Sequence, residues 1–229
     1  MRGSADRQIK QTPRKDLREN VNPVLLVHGF LDTYYMPWWK KLESHLVGAG
    51  YRHDEIYRVS FERIPGRKVK SIEAYAEKFG RLIERIDDKY GTNVDVIGHS
   101  MGGLDARYYI EVLDGAKNVD RLITLSTPHK GTYTTGVSLL APAGREMVPG
   151  SGFMKDLNRN GVSDDVKYTA VWSPADPALL PQSNAKLPDS FVDESHRNIR
   201  TGPYLHLEMV WKRAVFNSYR HYLGLNEVK

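Results

Sequence analysis

Cysteine is absent from this 229-residue sequence. Its absence removes disulfides, thiol nucleophiles and thiolate metal sites at once, and it leaves the redox compartment open. Long apolar runs are missing as well: nothing approaches the roughly 20 consecutive residues that a membrane-spanning helix needs. Charge of one sign is scarce too. Lysine and arginine total 33 against 28 aspartate and glutamate, a formal excess of +5 spread along the chain. No segment gathers the basic residues on one helix face, so a nucleic-acid partner is not expected. No internal repeat is visible, which excludes solenoids and propellers.

What remains is an ordinary globular composition, 40% hydrophobic and 27% charged, at a length that suits one α/β domain. Residues 1–21 are the exception. "MRGSADRQIKQTPRKDLREN" has no periodicity and holds the densest basic stretch, so 1–21 are expected to form a flexible arm and 22–229 a single domain. The first residues are polar, so no signal peptide is expected among them, and the opening MRGS reads as an artificial leader. From "NPVLLVHGF" onward, short apolar runs at 24–27, 56–61, 94–97, 122–125, 168–172 and 198–201 alternate with helical patterns at 38–47, 71–90, 101–113 and 206–223. The second helical pattern is the clearest. Ile72, Tyr75, Ala76, Phe79, Leu82, Ile83 and Ile86 recur at three-and-four spacing, and Gly91 stands where a left-handed cap would end the helix. Such alternation predicts a mainly parallel central sheet with helices on both faces, and the irregular 130–165 leave room for at most a small cap.

Two stretches carry chemistry. "VDVIGHSMGGLDARYY" (94–109) is a buried strand, then G-x-S-x-G, then a helix, which is the context of a nucleophile elbow. A turn that tight strains the serine backbone and requires nearly side-chain-free neighbours, which Gly98 and Gly102 supply; Gly103 would let the new helix lie close to the strand. Ser100 would then project from the C-terminal edge of the sheet, and the N–H of Met101 would open a helix whose dipole favours negative charge. Upstream, "PVLLVHGFLD" ends a strand in His28-Gly29-Phe30, and the N–H of Phe30 is the natural second donor for a developing oxyanion.

Taken in order, "PVLLVHGF", "VIGHSMGGLDARYY", "LITLSTPHKGT", "YTAVWSPADPALL" and "GPYLHLEMV" resemble the small bacterial lipases and esterases of the α/β-hydrolase superfamily across about residues 22–223. The resemblance implies an α/β-hydrolase fold, a Ser–Asp–His order along the chain, and hydrolysis of carboxylic esters without a cofactor or metal. It also favours an extracellular setting over a cytoplasmic one. Topology then chooses the partners. Active groups of a parallel sheet gather at the carboxyl ends of its strands. Asp176 follows the strand "KYTAVWS", whereas Asp164, Asp165, Asp189 and Asp193 precede strands. His206 follows the last strand; His196 enters that strand from the wrong end, His221 lies far along the terminal helix, and His129 precedes the acid. His28 and His99, flanking the two turns, are expected to make structural hydrogen bonds.

The cluster "LDTYYMPWW" suggests an apolar pocket beside the site, with Leu31, Tyr34 and Trp38 on one wall and Leu179 and Leu180 on the other. The expected partner is therefore an apolar ester, met in solution or at a lipid–water interface. An acyltransferase or thioesterase using the same three residues, a polyester hydrolase, and a non-catalytic binding protein on a hydrolase fold are the alternatives. "DLNRNGVSDD" (156–165) imitates a calcium loop but ends in Lys167 where a bidentate Glu belongs, so an Asn-Gly turn is the expected reading.

Overall fold

The computed structural model describes residues 21–59, 61, 70–134 and 139–224. Of the expected arm at 1–21, residues 1–20 lie outside the described residues, as do 225–229, and Val21 is buried in a core cluster with Val24 and Leu26. Six strands form one wholly parallel sheet in the order β2-β1-β3-β4-β5-β6: β1 (Val24–Val27), β2 (Ile56–Val59), β3 (Val94–His99), β4 (Val119–Leu125), β5 (Lys167–Trp172) and β6 (His196–Arg200). Period-two alternation splits each strand between two cores. Leu25, Val27, Val94, Val96 and Leu122 face one cluster, which α2 (Ile72–Tyr90) and α3 (Met101–Val112) cover. Val24, Leu26, Ile97, Ile123 and Leu125 face the other, under α1 (Pro37–Gly48) and the C-terminal helices. Residues 139–165 carry two short helices, α4 (Pro142–Glu146) and α5 (Gly152–Leu157), whose Ala143, Met154 and Leu157 join the first cluster.

The second helix follows its sequence pattern closely. Ser71 Oγ accepts from Ala74 N–H at the start, and Gly91, at φ 62°, closes the end by donating to Asp87 O. The terminal segment departs from the expected single helix. It divides into α6 (Glu208–Trp211), α7 (Arg213–Tyr219) and a 3₁₀ turn, with Lys212 extended at φ −67°, ψ 126°. The carbonyl of Trp211, an acceptor that a continuous helix would use, is bonded to His45 Nε2 of α1 at 3.0 Å. A partner distant in sequence thus ends the first helix where local pattern would carry it on.

Strand order reverses direction between β1 and β3: from β1 the chain moves outward to β2, then returns across to β3 and continues the other way. Such a switch point opens a crevice at the carboxyl ends of the two strands. Here those ends are His28-Gly29 and His99-Ser100.

Candidate active site

Ser100 sits between β3 and α3 with φ 55° and ψ −128°, a combination that L residues rarely adopt. Two other non-glycine residues on this edge share a positive φ: Leu31 after β1 (57°) and Ser126 after β4 (48°). The turn at Ser100 is closed by Ser100 N–H donating to Leu125 O and Gly103 N–H to Ser100 O. It is compact enough that a Cβ on Gly98 would lie 2.7 Å from Gly103 Cα, which is why position 98 must be glycine. Gly29 is equally constrained. A Cβ there would meet Ser100 Cβ at 2.8 Å and Ser100 Oγ at 3.4 Å, so the end of β1 touches the serine itself.

Phe30 and Leu31 form a tight turn closed by Asp32 N–H on Gly29 O at 3.3 Å. Asp32, buried, anchors it. Its Oδ1 accepts from Thr33 N–H (2.6 Å), and its Oδ2 accepts both the Trp38 and Trp39 indole N–H groups, at 3.1 and 2.9 Å. The two adjacent tryptophans thereby reach one oxygen, although Trp39 is core and Trp38 half-buried. The sequence reading missed Asp32; its signal was an aspartate six and seven residues ahead of two tryptophans.

On the same edge, Asp176 is buried and its Oδ2 lies 2.7 Å from His206 Nδ1. The other carboxylate oxygen accepts from Ala178 N–H at 2.9 Å. Ser173, also missed from sequence, ties the acid's loop to the histidine's: its Oγ donates to Tyr204 O (2.6 Å) and lies 3.2 Å from Gly202 O. His206 abuts the serine's strand through His99, whose Nε2 donates to His206 O at 3.1 Å and whose ring centroid lies 4.5 Å from that of His206. The hydrogen bond of the His206 side chain goes to Asp176. A half-buried serine, an imidazole and a carboxylate on one edge can together perform nucleophilic acyl transfer.

The other histidines have structural partners. His28 receives Phe61 N–H at Nε2 and lies 3.0 Å from Gly29 O through Nδ1. His129 bonds Thr124 Oγ1, and burial holds its imidazole well below the ordinary value. His196 pairs with Asp193 at the opposite edge. In the calcium-like loop, Asn158 donates to His129 O and Met154 O and accepts from buried Arg107, and Asp156 pairs with Arg159. Among the described residues, no group of three or more His, Asp or Glu side chains could hold a metal. Of the expected pocket residues, Leu31 and Leu180 are exposed, Tyr34 and Trp38 half-buried, and Leu179 buried.

A parallel sheet with its strained serine at the switch point is the α/β-hydrolase fold. Within that fold the chain belongs to the palmitoyl protein thioesterase family, whose model matches residues 23–178. A 76-residue stretch is 34% identical to Triacylglycerol lipase 2 of Saccharomyces cerevisiae, covering 31% of this chain and 23% of that protein, so the match spans less than a quarter of the curated relative. Among solved structures, the mature form of a Bacillus licheniformis lipase has a TM-score of 0.74 at 18% identity, over 93% of this chain and 96% of that one. A monoacylglycerol lipase of Paleococcus ferrophilus has 0.67 at 14%, over 90% and 95%. These structural likenesses are ones of fold.

Proposed function

We propose that this protein is a serine hydrolase of apolar acyl esters, with Ser100 as nucleophile, His206 as general base and acid, and Asp176 as the group that holds the imidazole. The observation that carries the reading is the 2.7 Å bond between Asp176 and His206 on the edge where Ser100 is held in a strained turn. His206 Nε2 takes the proton of Ser100 Oγ as the oxygen attacks the acyl carbon, and Asp176 stabilises the resulting cation. The N–H groups of Phe30 and Met101 receive the charge that develops on the carbonyl oxygen; losing one such donor typically costs roughly 3 kcal/mol of barrier. His206 then protonates the leaving group, and a water, deprotonated by the same imidazole, releases the acid. Around this rim Leu31, Tyr35, Tyr133, Leu180, Leu205 and Leu207 are exposed, which supports an apolar acyl chain or a lipid–water interface as the partner.

Thioesters are a second reading, favoured by the family match over residues 23–178. The same residues serve, with a thiol leaving instead of an alcohol. Matched oxygen and sulfur esters of one acyl series separate the two, and Ser100→Ala tests both. Turnover of every substrate is expected to vanish in that variant while its circular dichroism and melting stay those of the parent. Substantial hydrolysis by folded, pure Ser100→Ala protein overturns the assignment.

A further inference from the structure

His99 is the last residue of β3 and immediately precedes the proposed nucleophile. Its side chain is only 1% exposed. One face lies against His206, with ring centroids 4.5 Å apart at 48°, and Trp39 packs edge-on at 6.3 Å. Trp39 in turn holds Asp32 below the Phe30 turn at 2.9 Å. Among the described residues, the one hydrogen bond of the His99 side chain goes to the backbone carbonyl of His206, 3.1 Å from Nε2. A carbonyl only accepts, so Nε2 carries the proton and buried Nδ1 keeps a lone pair with no partner among the described residues.

We propose that His99 is a positioning residue, fixing the backbone of His206 to the strand that delivers Ser100 so that base and nucleophile share one frame. The inference rests on the reading of His206 as the base. The residues before it are tied to the acid's loop by Ser173, but residue 206 itself is otherwise held through Asp176 and flanked by the exposed Leu205 and Leu207. An apolar side chain would fill the same buried volume without leaving Nδ1 unsatisfied. A polar ring kept there at a cost in stability is explained by what it binds. Burial and the neighbouring His206 hold the His99 imidazole well below its ordinary value, so it donates its bond without placing a charge beside the base.

Two amide substitutions test this. In His99→Gln the amide nitrogen stands as many bonds from Cα as Nε2 does; in His99→Asn it stops one bond short, near Nδ1. With p-nitrophenyl butyrate, His99→Asn is expected to lower kcat by on the order of 10²-fold at nearly unchanged KM, the size of loss that misplacing a reacting group produces. Inactivation by a fluorophosphonate should slow in parallel, and His99→Gln should recover most of kcat. Equal kcat in wild type and His99→Asn overturns the proposal, as does equal loss in both variants, which would make the ring a space filler. If His99→Asn is too unstable to assay, His99→Gln decides alone, a loss of about tenfold or more in kcat ending the proposal. His206→Ala, run alongside, keeps the two readings apart. Full turnover in that variant removes the base itself, whereas its loss together with a wild-type His99→Asn removes only the role of His99.

Discussion

At the residue scale, the space between Gly29 and Ser100 leaves no room for a side chain. Alanine at 29 would put its Cβ 2.8 Å from Ser100 Cβ, with backbone on one side and the serine on the other. Gly29→Ala is therefore expected to displace either the serine or the Phe30 turn and to lower kcat by roughly 10²-fold, while Tm changes little. Steady-state rates on a short-chain ester, paired with a thermal melt, check it. Asp105 is the opposite case, a residue that the proposed chemistry does not use. It is wholly buried in α3, and neither carboxylate oxygen has a hydrogen-bond partner among the described residues. Burial, reinforced by the charge of Glu146, pushes its carboxyl well above the usual range and so favours the neutral acid. Asp105→Val removes an unsatisfied polar group and should stabilise the fold by about 1–2 kcal/mol, a few degrees of Tm for a chain of this size. A lower Tm in that variant contradicts it.

Among the elements, β3 does two jobs. Its carboxyl end carries Ser100, and its amino end buries Asp95 beside Arg121 and Asn22. Burial raises the Asp95 carboxyl to about 7, with Arg121 pulling it back. The native state therefore holds this proton where the unfolded chain has lost it. Stability from this group is greatest below about pH 4, declines as pH rises toward 7, and is flat above. Asp95→Asn cannot titrate, so its urea midpoint should fall less between pH 4 and pH 7 than that of the wild type. Parallel slopes in the two proteins would end this account. Elements also show where sequence suffices. The serine turn and α2 were legible because glycine spacing, Gly91 and a three-and-four apolar pattern are local signals. The break at Lys212 was not, since its cause is the His45 bond to Trp211, a contact spanning 166 positions. Ser173 was missed for the same reason, since its partners lie on another loop some 30 residues on; Asp32 binds Trp38 and Trp39 only six and seven residues away, a local signal that went unread.

For the whole molecule, the sheet order explains why so many functional candidates meet. Gly29, Ser100, Ser126, Asp176 and His206 all follow strands, and parallel strands bring every such residue to one edge. That rule singled out Asp176 over four other aspartates, and Asp176 is the one bonded to His206. What the rule cannot give is the lining of the pocket: Leu179 turns into the core while Leu180, next to it, faces solvent. The described residues contain no helix long and apolar enough to cross a membrane.

The most direct test of the central claim is covalent. A fluorophosphonate reacts with a serine only where a base and an oxyanion site activate it, so the modified residue can be located by peptide mass spectrometry. Stoichiometric labelling at Ser100, abolished in His206→Ala and strongly slowed in Asp176→Asn, is the predicted result. No labelling of the folded wild-type protein, or labelling at another serine, would contradict it.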